Sequence, residues 1–285
     1  MRNTVYEALN RASSFLIEKG RDENAARLLL QHILQTNYSG LMMRMQDELT
    51  EVEQQQLNDY VKAHAAGRPV QYIIGQEEFY GRIFAVDESV LIPRPETEEL
   101  IVCAMQHMTQ LFGQQAQLDL ADIGTGSGAI AVTMKKEWPN LNVTATDISA
   151  VALATAQRNA ATNDANISFV QGDLTAPIAH QKWDVVLSNP PYIAFDEKRD
   201  MSDVVLEHEP HSALFAEEDG LILYRKLAEN LPDLMKTPGF IAMEIGYKQG
   251  PAVKEMFTKA FPTAEVEVVQ DINGKDRIVY CKISE

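Results

Sequence analysis

A chain of 285 residues, 45% hydrophobic and 23% charged, has room for one large globular domain or for a small and a medium one. No apolar run reaches the length of a bilayer-spanning helix, and the N-terminus lacks the basic, apolar and small-residue succession of a secretory leader. Two distant cysteines, Cys103 and Cys281, exclude a disulfide framework and a cysteine zinc site and fit a cytoplasmic location. The net charge is −16, and it is uneven: residues 1–75 hold 8 Lys+Arg against 9 Asp+Glu, residues 76–285 hold 17 against 32. Nowhere do Lys and Arg cluster as a nucleic-acid backbone requires, which argues against DNA or RNA as a direct substrate.

Residues 1–75 read as helical. Val5, Leu9, Ala12 and Leu16 keep one face, with Phe15 beside it, and Gly20 stops the segment. Asp22 is placed to cap a second helix carrying Ala25, Leu28, Leu29 and Ile33. Tyr38 to Leu49 makes a third, whose Met42, Met43 and Met45 are expected to fill the core of a small bundle rather than form an adaptable partner surface. Thr50 and Glu53 form a capping box before Leu57, Tyr60 and Val61. Gly67-Arg68-Pro69 closes the segment, and the isolated His32 and His64 are given no role.

Residues 76–92 change character. Phe79-Tyr80-Gly81-Arg82-Ile83-Phe84-Ala85-Val86 is aromatic and β-branched with a glycine at its bend, which predicts a β-hairpin joining two domains. Leu91-Ile92-Pro93-Arg94-Pro95-Glu96-Thr97-Glu98-Glu99 follows. Its prolines hold an extended approach, and its acidic residues crowd the first turn of a helix running to about Phe112, where they favour the dipole.

Beyond it strands and helices alternate, the signature of a parallel sheet. Strands are expected at Leu118–Ile123, Leu141–Thr146, Ile167–Val170, Trp183–Ser188 and Gly239–Ile245, with helices between them. Val266–Val269 and Arg277–Lys282 form a closing hairpin about Asn273-Gly274. A polar loop covers roughly residues 193–218.

Asp122-Ile123-Gly124-Thr125-Gly126-Ser127-Gly128 lies between a strand and a helix, where glycines let a ligand approach the backbone. Asp147 ends the next strand about twenty residues on, where a carboxylate can accept both hydroxyls of a ribose. Turn and acid together allow a dinucleotide or S-adenosylmethionine. The third glycine falls one residue early for a pyrophosphate fingerprint and no second nucleotide-binding half is evident, so the methyl donor is favoured.

Asn189-Pro190-Pro191-Tyr192 ends the fourth strand, because neither proline has an N–H for the ladder. Taken alone it is a stiff strand exit. Beside a methyl donor it has a second reading. A planar amide or aromatic amine has a delocalised, weakly nucleophilic nitrogen. The Asn189 side-chain oxygen and the Pro190 carbonyl are suited to accept its two N–H groups and stabilise positive charge as it develops, with Tyr192 stacked on the planar group. No general base is needed, since the proton can leave after transfer.

These residues resemble a known family. Asp122 to Gly128 with Asp147 is similar to class I S-adenosylmethionine-dependent methyltransferases, and Asn189-Pro190-Pro191-Tyr192 to the signature of enzymes that methylate adenine amines and glutamine amides. Ile92 to Glu98, the preceding Gly75 to Phe84 and the helical N-terminal segment narrow the resemblance to the HemK-type (PrmC) peptide chain release factor glutamine methyltransferases, over nearly the whole chain. The resemblance implies an α/β, Rossmann-like class I methyltransferase with a mostly parallel seven-stranded sheet. It further implies a helical release-factor recognition domain at 1–75, a hairpin linker at 76–92 and a catalytic domain at 93–285. It implies that Asp122, Ile123, Gly124, Thr125 and Gly126 line the donor, that Asp147 holds its ribose, that Asn189 borders donor and acceptor, and that Asn189, Pro190, Pro191 and Tyr192 bind the glutamine. Asp173 or Leu174 is expected by the adenine. Arg94, Glu96 and Thr97, with Glu207-His208-Glu209-Pro210, are candidates to shape the acceptor pocket. The expected cofactor is S-adenosylmethionine, leaving as S-adenosylhomocysteine, with no metal; His208 and His211 find no matching ligands. The expected partner is a release factor, with no direct nucleic acid or membrane contact, and the enzyme is expected to be a cytoplasmic monomer. Glutamine methylation of a ribosomal protein, adenine amine methylation of nucleic acid, and a non-catalytic adaptor are the competing readings.

Overall fold

The computed structural model describes residues 4–284, the side chain of Asp200 excepted. The chain forms two compact units, residues 1–76 with 202–208, and residues 77–201 with 209–285.

The first unit is a helical bundle of α1 (Val5–Glu18), α2 (Asn24–Ile33), α3 (Tyr38–Met43), α4 (Glu51–Ala65) and α5 (Val70–Ile74), with a short helix at Asp203–His208. Capping boxes start α1 and α4: Thr4 pairs with Glu7, and Thr50 with Glu53. Each satisfies helix-start N–H groups that otherwise lack partners. Val5, Ala8, Ala12 and Leu16 of α1 pack with Leu29 and Leu30 of α2 and Leu57 and Val61 of α4. The methionines depart from expectation. Met45 packs against this core, but Met43 is 82% exposed and Met42 37%. Met42 and Met43 end a short third helix whose buried residue is Leu41, and Met45, beyond that helix, turns back onto the core.

The second unit carries a sheet of seven strands in the order β10-β11-β9-β6-β3-β4-β5. These are β3 (Leu118–Ile123), β4 (Leu141–Asp147), β5 (Ile167–Gln171), β6 (Trp183–Ser188), β9 (Met235–Glu244), β10 (Glu265–Gln270) and β11 (Asp276–Ile283). β11 runs antiparallel to both its neighbours and the other pairs are parallel. The central strands alternate between two cores. On one face Leu118, Leu120, Val185, Leu187, Phe240 and Ala242 meet α6 (Pro95–Phe112), α7 (Ala129–Glu137) and α8 (Ala150–Thr162). On the other, Ala121, Ile123, Val186, Ile241 and Met243 meet helices Ile222–Asn230 and Gly250–Ala260. A strand buried on both faces must be apolar throughout, and that is the composition of Val185-Val186-Leu187 and Phe240-Ile241-Ala242-Met243. Each fully buried large side chain contributes about 1.5–3 kcal/mol.

The hairpin of β1 (Gln76–Phe79) and β2 (Arg82–Ala85) is tied to α8. The Asn159 amide accepts from Ala85 N at 2.7 Å and donates to Ala85 O at 3.0 Å. The polar loop contains two short strands, β7 (Ile193–Ala194) and β8 (Phe215–Ala216), that pair in parallel. No described helix is long and apolar enough to cross a membrane.

Candidate active site

Strand register brings the motifs to one edge. Ile123 of β3 lies opposite Thr146 of β4 on one side and Ser188 of β6 on the other, so Gly124, Asp147 and Asn189 leave the sheet at the same level. Ser188 opposite Met243 places Glu244 of β9 beside Asn189. The strand order reverses here, β4 lying on one side of β3 and β6 on the other, and the carboxyl ends of strands at such a switch point are where open α/β sheets bind ligands. A cavity of about 530 Å³ opens there, lined among others by Gly124, Asp147, Leu174, Asn189, Pro190 and Phe195.

On the donor side, Gly124 (φ +74°) and Gly126 (φ +55°) hold left-handed backbone, and a β-carbon at either would meet nothing within 4 Å. That open space faces the cavity and lets a ligand reach the backbone. Gly128 serves packing instead, since a β-carbon there would lie 3.1 Å from that of Ala156. Asp122 holds the turn from inside, its Oδ2 accepting from Thr125 Oγ1 at 2.6 Å and Ala131 N at 3.2 Å. Its Oδ1 is buried without a partner. Burial pushes the Asp122 carboxyl up to about 7, against the opposing pull of those hydrogen bonds. Asp147 accepts from Gly126 N and Ser149 N, each at 2.9 Å, so the carboxylate ties the second strand to the glycine turn. Ser149 caps α8, accepting from Ala152 N at 3.2 Å. Asp173 and Leu174 both border the cavity.

Asn189 sits on the other side of the cavity. Its Nδ2 donates to Thr97 Oγ1 at 3.1 Å and to Glu244 Oε2 at 3.0 Å. The amide nitrogen is thus turned toward the Thr97–Glu244 pair, and Oδ1 remains as the acceptor. Prolines 190 and 191 also line the cavity, as does Arg94. Tyr192 departs from the stacking expectation. Its ring packs against the second core and its hydroxyl donates to Glu244 Oε1 at 3.4 Å. A phenol that close to a buried carboxylate is held in place, so Tyr192 braces the turn from behind. Burial, then the adjacent carboxylate, raise its hydroxyl far above the usual tyrosine range.

Arg94 pairs with Glu209, whose side chain is 1% exposed, linking the start of α6 to the loop that lines the cavity. Glu96 lies within electrostatic reach of Glu244. Glu207 and His208 belong to the first compact unit. Among the described residues no group of three or more His, Cys, Asp or Glu stands close enough to hold a metal ion.

Sequence reasoning passed over Glu244 and Gln249. The signal for Glu244 was a lone carboxylate ending an apolar run, Ile241-Ala242-Met243-Glu244-Ile245. Gln249 carries no such mark. It donates from Nε2 to Tyr192 O at 2.9 Å and Asp219 O at 3.2 Å, and accepts from Gly246 N at 2.9 Å.

The doubly covered sheet, with a glycine turn at its switch point, defines a class I methyltransferase. A solved methyltransferase from Pyrococcus furiosus shares this fold at a TM-score of 0.53 and 19% identity, over 73% of this chain and 91% of that one. A family model described as the PrmC N-terminal domain matches residues 7–75, and the methyltransferase small domain matches residues 102–214. The chain is 50% identical over 281 residues to the release factor glutamine methyltransferase of Bacillus anthracis, covering 98% of this chain and 99% of that one. Against that of Bacillus subtilis (strain 168) it is 48% identical over 278 residues, covering 97% and 96%. The chain belongs to the release factor glutamine methyltransferase family.

Proposed function

We propose that this enzyme methylates the side-chain amide nitrogen of the glutamine in the Gly-Gly-Gln loop of peptide chain release factors, with S-adenosylmethionine as donor. The observation that carries this reading is the Asn189 side chain. With Nδ2 engaged by Thr97 and Glu244, Oδ1 is the atom left to accept from an incoming N–H.

The residues on the donor side fit the cofactor. The open face of Gly124 and Gly126 admits a ligand to the backbone, the unpartnered Oδ1 of Asp122 suits a site for a cationic amine, and the Asp147 carboxylate is placed for a ribose diol. When bound, the sulfonium supplies an electrophilic methyl group for in-line displacement. The protein's part is to orient the acceptor. Asn189 Oδ1 and the Pro190 carbonyl accept the two glutamine N–H groups, turn the nitrogen lone pair toward the donor and stabilise the positive charge growing on that nitrogen. One N–H proton then passes to water, which restores the neutral amide. Pro191 stiffens the turn and Tyr192 braces it.

In this reading residues 1–75 recognise the release factor, residues 76–92 connect, and residues 93–285 carry the chemistry. The enzyme acts in the cytoplasm as a monomer, on a protein rather than on nucleic acid or a membrane. The acidic balance of the second unit and the buried thiols of Cys103 and Cys281 agree with that.

Incubation with labelled S-adenosylmethionine and, separately, release factor, ribosomal proteins and RNA tests the substrate. Label on release factor is expected, and a Gln→Ala change in its Gly-Gly-Gln loop abolishes it. Label on nucleic acid or ribosomal protein alone overturns the reading.

A further inference from the structure

Three elements converge behind Asn189. Thr97 comes from the first turn of α6, Asn189 from the end of β6 and Glu244 from the end of β9. Thr97 Oγ1 donates to Glu244 Oε2 at 2.6 Å while accepting from Asn189 Nδ2, so the hydroxyl proton has one direction available. Glu244 is 1% exposed. Its backbone carbonyl accepts from Tyr224 at 2.8 Å, and its Oε1 takes the Tyr192 hydroxyl. Arg277, whose side chain is 13% exposed, supplies opposing charge from β11.

We propose that Glu244, with Thr97, is a positioning residue for methyl transfer: the pair accepts from the Asn189 amide nitrogen and thereby fixes Oδ1 toward the acceptor. This inference rests on the acceptor-clamp reading above. An asparagine amide turns over at little cost when its surroundings are indifferent, and the turned form presents donors where the acceptor's own N–H groups must bind. Here the turned form would aim Oδ1 at a buried carboxylate oxygen and leave both Nδ2 hydrogens on the cavity side. The carboxylate therefore acts as a lock on amide orientation. It never touches the reacting atoms.

The physical argument also separates the lock from a simple packing role. Burying a carboxylate costs free energy that a hydrophobic residue of similar size avoids. A helix-to-strand contact alone has no need of an acceptor for a hydroxyl, an amide and a phenol. Glu244 accepts from Thr97, Asn189 and Tyr192, so two of its three side-chain donors belong to the Asn189-to-Tyr192 turn.

The test is a double-mutant cycle in the full-length enzyme with release factor as acceptor and S-adenosylhomocysteine as the binding probe. Glu244→Ala is expected to lower kcat about 100-fold, as loss of one oriented oxyanion-hole donor does, with probe affinity within about 2-fold of wild type. Glu244→Gln keeps an oxygen for Asn189 and Thr97 and is expected to recover most of that loss. In an Asn189→Ala background, Glu244→Ala is expected to add less than about 3-fold, because the amide it positions is gone. Should Glu244→Ala fail to fold, the isosteric Thr97→Val completes the same cycle. An equal loss with and without the Asn189 amide, or probe affinity falling in parallel with rate, overturns the inference. Failure of the wild-type enzyme to label release factor would instead overturn the substrate reading, so the two failures are distinguishable.

Discussion

Gly220 lies so close beneath the Tyr192 carbonyl that a β-carbon at this position would fall 2.0 Å from the Tyr192 oxygen. The backbone is left-handed there, with φ +81° after Glu218 at +54° and Asp219 at +56°. Gln249 fixes this arrangement by donating to the carbonyls of Tyr192 and Asp219 together. The far end of the Asn189-to-Tyr192 turn is thus seated on bare backbone.

Gly220→Ala is therefore expected to displace the turn. Strain and clash should cost about 1–3 kcal/mol of stability, read by thermal unfolding, and kcat should fall further than the unfolded fraction accounts for. Gly113→Ala is the control. Gly113 has φ +80° and ψ +163°, a region open essentially to glycine alone, but a β-carbon there meets nothing within 4 Å, so about 1–3 kcal/mol is lost with activity retained. Equal activity in the two variants would remove Gly220 from the clamp.

Asp147→Ala removes the acceptor for Gly126 N and Ser149 N as well as the proposed ribose contact. Donor affinity, measured by calorimetric titration with S-adenosylhomocysteine, is expected to fall about 10- to 100-fold, the equivalent of one or two charge-assisted hydrogen bonds. Turnover at saturating donor should recover to within a few-fold. Unchanged affinity would refute the ribose assignment.

Two buried carboxyls set the pH dependence of stability. Burial raises Asp122 from an ordinary value of 3.8 to about 7, and Glu244 from 4.5 to about 7. A carboxyl that holds its proton more tightly when folded stabilises the native state below its unfolded value and loses that contribution as pH rises through its folded value. The donor-free enzyme should therefore lose stability between about pH 4 and pH 7, by as much as about 8 kcal/mol if both groups act in full. Asp122→Asn and Glu244→Gln should each flatten the slope of melting temperature against pH. An unaltered slope in both would show that neither group titrates in this window.

Arg94→Ala leaves the Glu209 carboxylate buried without its cation. Because Arg94 itself is 34% exposed, the expected loss is about 2 kcal/mol rather than the larger cost of breaking a fully buried pair. Thermal unfolding reads it, and Glu209→Gln in the same background should restore part of the loss. If the pair only decorates the surface, neither variant will move the melting temperature.

Much of the site was legible without coordinates because its parts announce themselves chemically. Three glycines between a strand and a helix, a carboxylate ending the next strand, and two prolines ending a third each have a local physical reason. The capping boxes at Thr50 and the strand boundaries near Leu118, Trp183 and Leu141 are local in the same sense: one helix turn or one stretch of alternation fixes them. The methionines about the third helix show where local reasoning stops, since tertiary packing decided which of them faced inward.

What the sequence by itself determined was the set of strands, the glycine turn, the acid that follows it and the stiff exit at Asn189. Glu244 and Gln249 became parts of the clamp only through tertiary structure, and Thr97, expected at the acceptor pocket, found its partners there. Thr97 lies 92 residues from Asn189, and Glu244 lies 55 from it. No local spacing encodes such contacts. They arise because parallel pairing of β6 with β9 sets Ser188 opposite Met243, and because α6 delivers its first turn to the same edge. Which way the Asn189 amide points is likewise settled by partners that the chain brings from far away, and that orientation decides whether the turn can hold an acceptor's N–H groups.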